Sequence, residues 1–124
     1  MPRPVHFEFT VNDPDRAAAF FRDTVGWRIE KWDNPQQDYW LLTTGSEDSP
    51  GINGGMSRRS EQSPPGTTVT LDVPSVDETI AKVAAAGGTV ILPKMAVPGV
   101  GRLAYFTDPD GNAFGLMQAD ESAA

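Results

Sequence analysis

The chain has 124 residues, 39% of them hydrophobic, with no cysteine and a formal net charge of −7. Length and composition fit one compact globular domain, and the lack of cysteine excludes disulfides, thiol catalysis and thiolate metal sites. The acidic balance argues against nucleic acid or anionic lipid as a partner; with no apolar run of spanning length and no charged-then-apolar leader, a cytoplasmic protein that binds neither is expected.

Residues 5–11 read as a strand whose alternation sends Phe7, Phe9 and Val11 to one face and His6, Glu8 and Thr10 to the other. The aromatic face is expected to meet a helix. Asp13 followed by Pro14 is a cap and first-turn signal; Ala17, Phe20, Phe21 and Val25 then recur at helical spacing until Gly26 stops the helix. Strands are predicted at 27–32, 39–44 and 52–56. The polar, proline-containing stretch SRRSEQSPPG at 57–66 reads as a connection.

The plan then repeats. Thr68, Thr70 and Asp72 alternate with Val69, Leu71 and Val73. Ser75 and Glu78 form a capping box, Ile80, Val83 and Ala84 a buried stripe, and Gly87-Gly88 a helix stop. Strands are predicted at 89–92, 102–107 and 112–118, with a tight hairpin turn at Asp108-Pro109-Asp110-Gly111. The VPGVG loop at 97–101 is either a lid or, on composition, a glycine-rich turn, and the tail 119–124 has nothing to bury.

Shifting the sequence by 62 residues lays Val11 on Val73, Asp15 on Asp77, Gly26 on Gly88 and Ile29 on Ile91. The same shift lays His6, the one histidine, on Thr68. The expected fold is therefore α+β: two βαβββ modules in tandem (5–56 and 67–118, joined by 57–66) within one domain, forming a curved mixed sheet around a central cavity, helices outside. His6, Glu8, Thr10, Thr68, Thr70 and Asp72 then belong to the polar set facing the cavity.

The segments NDPDRAAAFFRDTVGW at 12–27 and FTDPDGNAFGLMQ at 106–118, placed on a repeat, resemble the vicinal-oxygen-chelate superfamily, which includes lactoylglutathione lyase, bleomycin-resistance proteins and extradiol dioxygenases. HFEF at 6–9, GINGGM at 51–56 and PKMAVPGVG at 93–101 are similar to its glyoxalase-like branch. The resemblance implies metal ligands at His6, near Gly54, at Thr68 and at Gly115, and only His6 is a matching residue. A divalent ion needs at least three convergent donors, so no cofactor is expected; a weak metal at His6, or an unusual His6, Glu8 and Asp72 centre, is the alternative. Glycine at 54 and 115 would widen the cavity and favour an organic ligand.

The candidate catalytic pair is His6 and Glu8, because an imidazole can carry protons near neutrality without a metal. Thr10, Thr68, Thr70 and Asp72 are candidate hydrogen-bonding contacts to substrate. Met56 and Met117 would supply an adaptable apolar lining, Gly54 and Gly115 room, and Trp40 or Tyr105 a stacking surface. Two functions fit: a glyoxalase-like lyase or isomerase on a small oxygenated substrate, or a metal-free protein that binds and sequesters a small molecule, as bleomycin-resistance relatives do. The resemblance also implies a homodimer.

Overall fold

The computed structural model describes residues 1–34, 38–64 and 66–124. They divide into two compact units, one formed by His6–Thr67, the other by Thr68–Ala124 with Met1–Val5. The elements in chain order are β1 (Arg3–Val11), α1 (Pro14–Val25), β2 (Arg28–Lys31), β3 (Tyr39–Thr43) and β4 (Asn53–Arg58), followed by β5 (Thr68–Asp72), α2 (Val76–Ala85), β6 (Thr89–Val97), β7 (Gly101–Thr107) and β8 (Ala113–Ala119). This is the expected α+β plan of two βαβββ modules. No helix among the described residues is long and apolar enough to cross a membrane.

In the first unit the strand order is β2-β3-β4-β1, with β1 and β4 parallel and the other neighbours antiparallel. Local chemistry sets the ends of α1. The Asp13 carboxylate accepts from the Arg16 backbone N–H at 3.1 Å, Pro14 starts the first turn, and Gly26 closes the helix in the left-handed region at φ 73°. The core holds Ala18, Ile29, Trp40, Leu42 and Met56, with Phe7, Phe9, Phe21 and Trp27 packed against it. Burying a side chain such as Leu42 contributes about 2 kcal/mol.

The buried stripe of α1 differs from the expected one. Pro14 and Ala18 are buried, whereas Phe20 is 59% exposed and Val25 is exposed. Small alanines let the helix approach the sheet closely. Phe21 turns inward to Phe9 and Trp27, and Phe20 stands outside with its ring edge-on to Phe21 at 5.2 Å. β4 also runs two residues past the expected end, since Ser57 still pairs with Thr10 and Arg58 with Val11.

The second unit repeats the arrangement as β5-β8-β7-β6, with β5 and β8 parallel. Ser75 Oγ accepts from the Glu78 backbone N–H at 3.1 Å, and Gln118 Oε1 accepts from the Val76 N–H at 2.9 Å, which ties α2 to β8. Val73, Val76, Ala104 and Leu116 form the core, with Ile80 against it. Ala84 is exposed and not part of a buried stripe.

The expected loop after residue 92 is largely strand, because β6 continues to Val97 through two register shifts. The turn that follows is fastened and does not form a lid: the Gly99 N–H donates to the Ala123 carbonyl at 3.0 Å, and the Asp120 N–H to that of Val100 at 2.9 Å. The tail is correspondingly not idle. Ala123 is buried, and Arg102 pairs with Asp120 at 2.5 Å. Hydrogen bonds from the Ser122 hydroxyl, and then from Arg102, hold the Asp120 carboxyl down at a pKa of about 2.

Candidate active site

The parity of β1 separates two environments. Phe7 and Phe9 face the core of the first unit, so His6 and Glu8 lie on the other face, their side chains 31% and 21% exposed. The parallel partner β4 sets Asn53 beside His6 and Gly55 beside Glu8. β3 brings a third group. Tyr39, half-buried, pairs with Ser57 and carries its ring across Gly55, where any β-carbon would overlap the phenol. Trp32 meets the Tyr39 ring edge-on at 6.1 Å, and its backbone N–H donates to the Tyr39 carbonyl at 2.8 Å.

The three side chains form a chain of hydrogen bonds. Tyr39 Oη donates to Glu8 Oε2 at 2.6 Å and lies 2.8 Å from His6 Nε2; His6 Nε2 and Glu8 Oε2 are 3.6 Å apart. A phenol has one proton. Because Tyr39 gives that proton to a carboxylate, which only accepts, the contact with His6 requires Nε2–H to donate to Tyr39 Oη. The protons are thus ordered from imidazole to phenol to carboxylate. Such an arrangement can move a proton between a base and an acid without a metal ion.

The expected site residues divide between the two units. Thr10 lies on β1 beyond Glu8, where its Oγ1 and carbonyl both accept from Arg59. Gly54 is a correction: it pairs with Phe7, and a β-carbon there would meet the Phe7 carbonyl at 2.6 Å and its ring at 2.7 Å, on the aromatic face. The glycine beside the His6 face is Gly55. Met56 and Trp40 are also corrected, from cavity lining to core: Met56 is fully buried, and Trp40 is packed with Ala18, Ile29 and Leu42, with Lys31 Nζ 5.3 Å from its ring centre.

In the second unit Thr70 pairs with Gly115, as Glu8 does with Gly55, and Asp72 with Met117. A β-carbon at Gly115 would sit 3.0 Å from Thr70 Oγ1 and 3.2 Å from the Tyr105 ring, so a tyrosine also lies over the glycine in this half. Thr68 and Thr70 are buried, Tyr105 and Met117 half-buried, and Asp72 exposed. Nothing in the sequence alone marks Tyr39 as a site residue. Alternation along 39–44 alone would have put it on the face opposite Trp40.

These residues do not fit the metal that the resemblance implies. Glycine or threonine replaces three of the four implied donors, and the Tyr39 phenol fills the space needed by a carboxylate side chain at 55. Among the described residues no group of three or more His, Cys, Asp or Glu side chains could hold an ion.

Comparison with known proteins identifies the family. The sequence profile of the Glyoxalase/Bleomycin resistance protein/Dioxygenase superfamily matches residues 3–116. The chain belongs to this superfamily. The superfamily member is 30% identical over 121 residues to a mycobacterial protein named "Putative glyoxylase CFP32" from Mycobacterium tuberculosis, over 94% of this chain and 46% of that protein. It therefore spans about half the length of the curated relatives that it matches. Among solved structures, its fold is similar to hypothetical protein BH1468 from Bacillus halodurans (TM-score 0.69, 16% identity, 99% and 98% of the two chains). It is also similar to methylmalonyl-CoA epimerase from Mycobacterium tuberculosis (TM-score 0.68, 16% identity, 94% and 87%).

Proposed function

We propose that this superfamily member is a metal-independent proton-transfer catalyst, a lyase or isomerase acting on a small oxygenated substrate, with His6, Tyr39 and Glu8 as its acid-base groups. The observation that supports this reading is the ordered hydrogen-bond chain through Tyr39 Oη, at 2.8 Å to His6 and 2.6 Å to Glu8. A substrate with an acidic C–H beside a carbonyl would lose that proton to the Glu8 carboxylate. The electron pair of the broken C–H bond would move to the carbonyl oxygen; once Glu8 is protonated, the Tyr39 O–H no longer has a carboxylate to serve and can turn to donate to that oxygen. Return of the proton to carbon completes an isomerisation, and expulsion of a leaving group completes a lyase reaction. The fold shared with an epimerase is consistent with the first outcome. In this reading the protein works in the cytoplasm as a homodimer.

The test is hydrogen exchange. The protein is incubated in D2O with a panel of carbon acids, namely a methylglyoxal-thiol hemithioacetal, an α-hydroxy ketone and a methylmalonyl thioester, and loss of the C–H signal is followed by NMR. Exchange that persists in EDTA and falls in Tyr39→Phe supports the proposal. Exchange abolished by EDTA and restored by an added divalent metal, or unchanged in Tyr39→Phe, refutes it.

The charge of −7 favours a second reading, sequestration of a cationic compound held by Glu8. Binding without turnover, weakened by Glu8→Ala, distinguishes that case.

A further inference from the structure

The face of β1 opposite His6 and Glu8 carries a second feature. Phe7 and Phe9 point there, and with Phe21 of α1 and Trp27 they form the floor of a cleft of about 810 Å³ within the first unit, in the size range of small-molecule sites. The rings run continuously, with Phe7 5.7 Å from Trp27, Trp27 stacked on Phe21 at 5.2 Å and 16°, and Phe21 5.4 Å from Phe9. The rim is polar, formed in part by Ser60, Ser63 and Arg59. A smaller cleft of about 340 Å³ shares Phe21 and Arg59 with the first, so these two residues lie at the junction.

Arg59 is held in place by two side-chain hydrogen bonds. Its Nε donates to Thr10 Oγ1 at 3.3 Å and its Nη2 to the Thr10 carbonyl at 2.8 Å, which fixes the plane of the guanidinium. In the same unit Lys31 and Arg58 both lie within ion-pair distance of Asp38. Arg59 has no carboxylate within that distance among the described residues, in a chain whose acidic groups outnumber its basic ones. A planar cation, held in place and without a counter-ion at the rim of an aromatic floor, matches a ligand that is flat and apolar at one end and anionic at the other.

We propose that this cleft binds a small aromatic carboxylate, its ring against Phe21 and Trp27 and its carboxylate on Arg59. The site is separate from the His6, Tyr39 and Glu8 group, so either can fail without the other.

The experiment titrates naphthalene-2-carboxylate into 15N-labelled protein and follows amide and indole shifts, with naphthalene-2-carboxamide as the uncharged control. The expected shifts centre on Trp27, Phe21, Arg59 and Ser63, with the carboxylate bound about tenfold more tightly than the amide, the ratio that loss of one charge-assisted contact gives. Arg59→Gln, at an exposed position, removes that preference and leaves the amide affinity unchanged, and Tyr39→Phe leaves carboxylate binding intact. Equal affinity for acid and amide, an Arg59→Gln variant that binds as the parent does, or shifts centred on His6 would each overturn the proposal. So would concentration-dependent shifts at Phe9, Phe21 and Trp27 without ligand, because a second copy of the chain would then occupy the cleft.

Discussion

The phenol of Tyr39 occupies the space that a side chain at position 55 would need, so the proton chain exists because residue 55 is glycine. Gly55→Ala therefore forces the ring away and breaks both of its hydrogen bonds. Overpacking at such a site costs about 1–3 kcal/mol, read as a lower midpoint in urea unfolding. Loss of hydrogen exchange into the carbon-acid panel should accompany it, and a Gly55→Ala protein with the parent's midpoint would contradict the geometry.

Tyr39→Phe keeps the ring against Trp32 and deletes only the hydroxyl. The stability change should be small, about 1 kcal/mol. Exchange of a substrate C–H should fall at least about a hundredfold, the usual contribution of a positioned acid or base. Parallel unfolding and NMR exchange measurements on one sample separate the two effects.

Met56 tests core against lining. Its side chain is fully buried beside Trp40 and Leu42, so Met56→Ala should lower stability by about 2–5 kcal/mol. Calorimetry reads this directly. A near-neutral substitution would mean that Met56 borders open space.

Asp120 predicts an acid-sensitive fastening of the tail. Its carboxyl titrates at about 2 in the folded chain, below the ordinary 3.8, so it stabilises the fold fully above the ordinary value and loses that contribution as pH falls through about 2. The stability difference between the parent and Asp120→Asn should be constant at neutral pH, shrink below about pH 4 and be largely gone once the pH has fallen through about 2. Thermal melts across that range check it, and a difference that persisted undiminished at pH 2 would assign the effect to something other than the charge.

Features set by adjacent residues were legible in the sequence, and those set by a distant strand were not. Asp13 and Gly26 mark the two ends of α1 because capping is decided within a few residues. The 62-residue repeat gave the two-module plan for a similar reason, since each copy carries its own turn and helix signals. The register of β4 did not follow, because the intervening loop differs in length between halves, and the expected Gly54 proved to be Gly55. Tyr39 is not legible in the sequence because its role depends on the missing side chain of Gly55 in another strand. Phe20 and Ala18 exchanged places because spacing shows which residues share a helix face but not how closely that face approaches the sheet.

The alternation of β1 has an evolutionary consequence. Four consecutive residues, His6 to Phe9, serve water and oil in turn, so inserting or deleting one residue ahead of them would drive imidazole and carboxylate into the apolar layer and set two phenyl rings in solvent. Point substitution can retune this strand, but its length is locked, and descendants of this chain should vary in which side chains β1 carries far sooner than in how many.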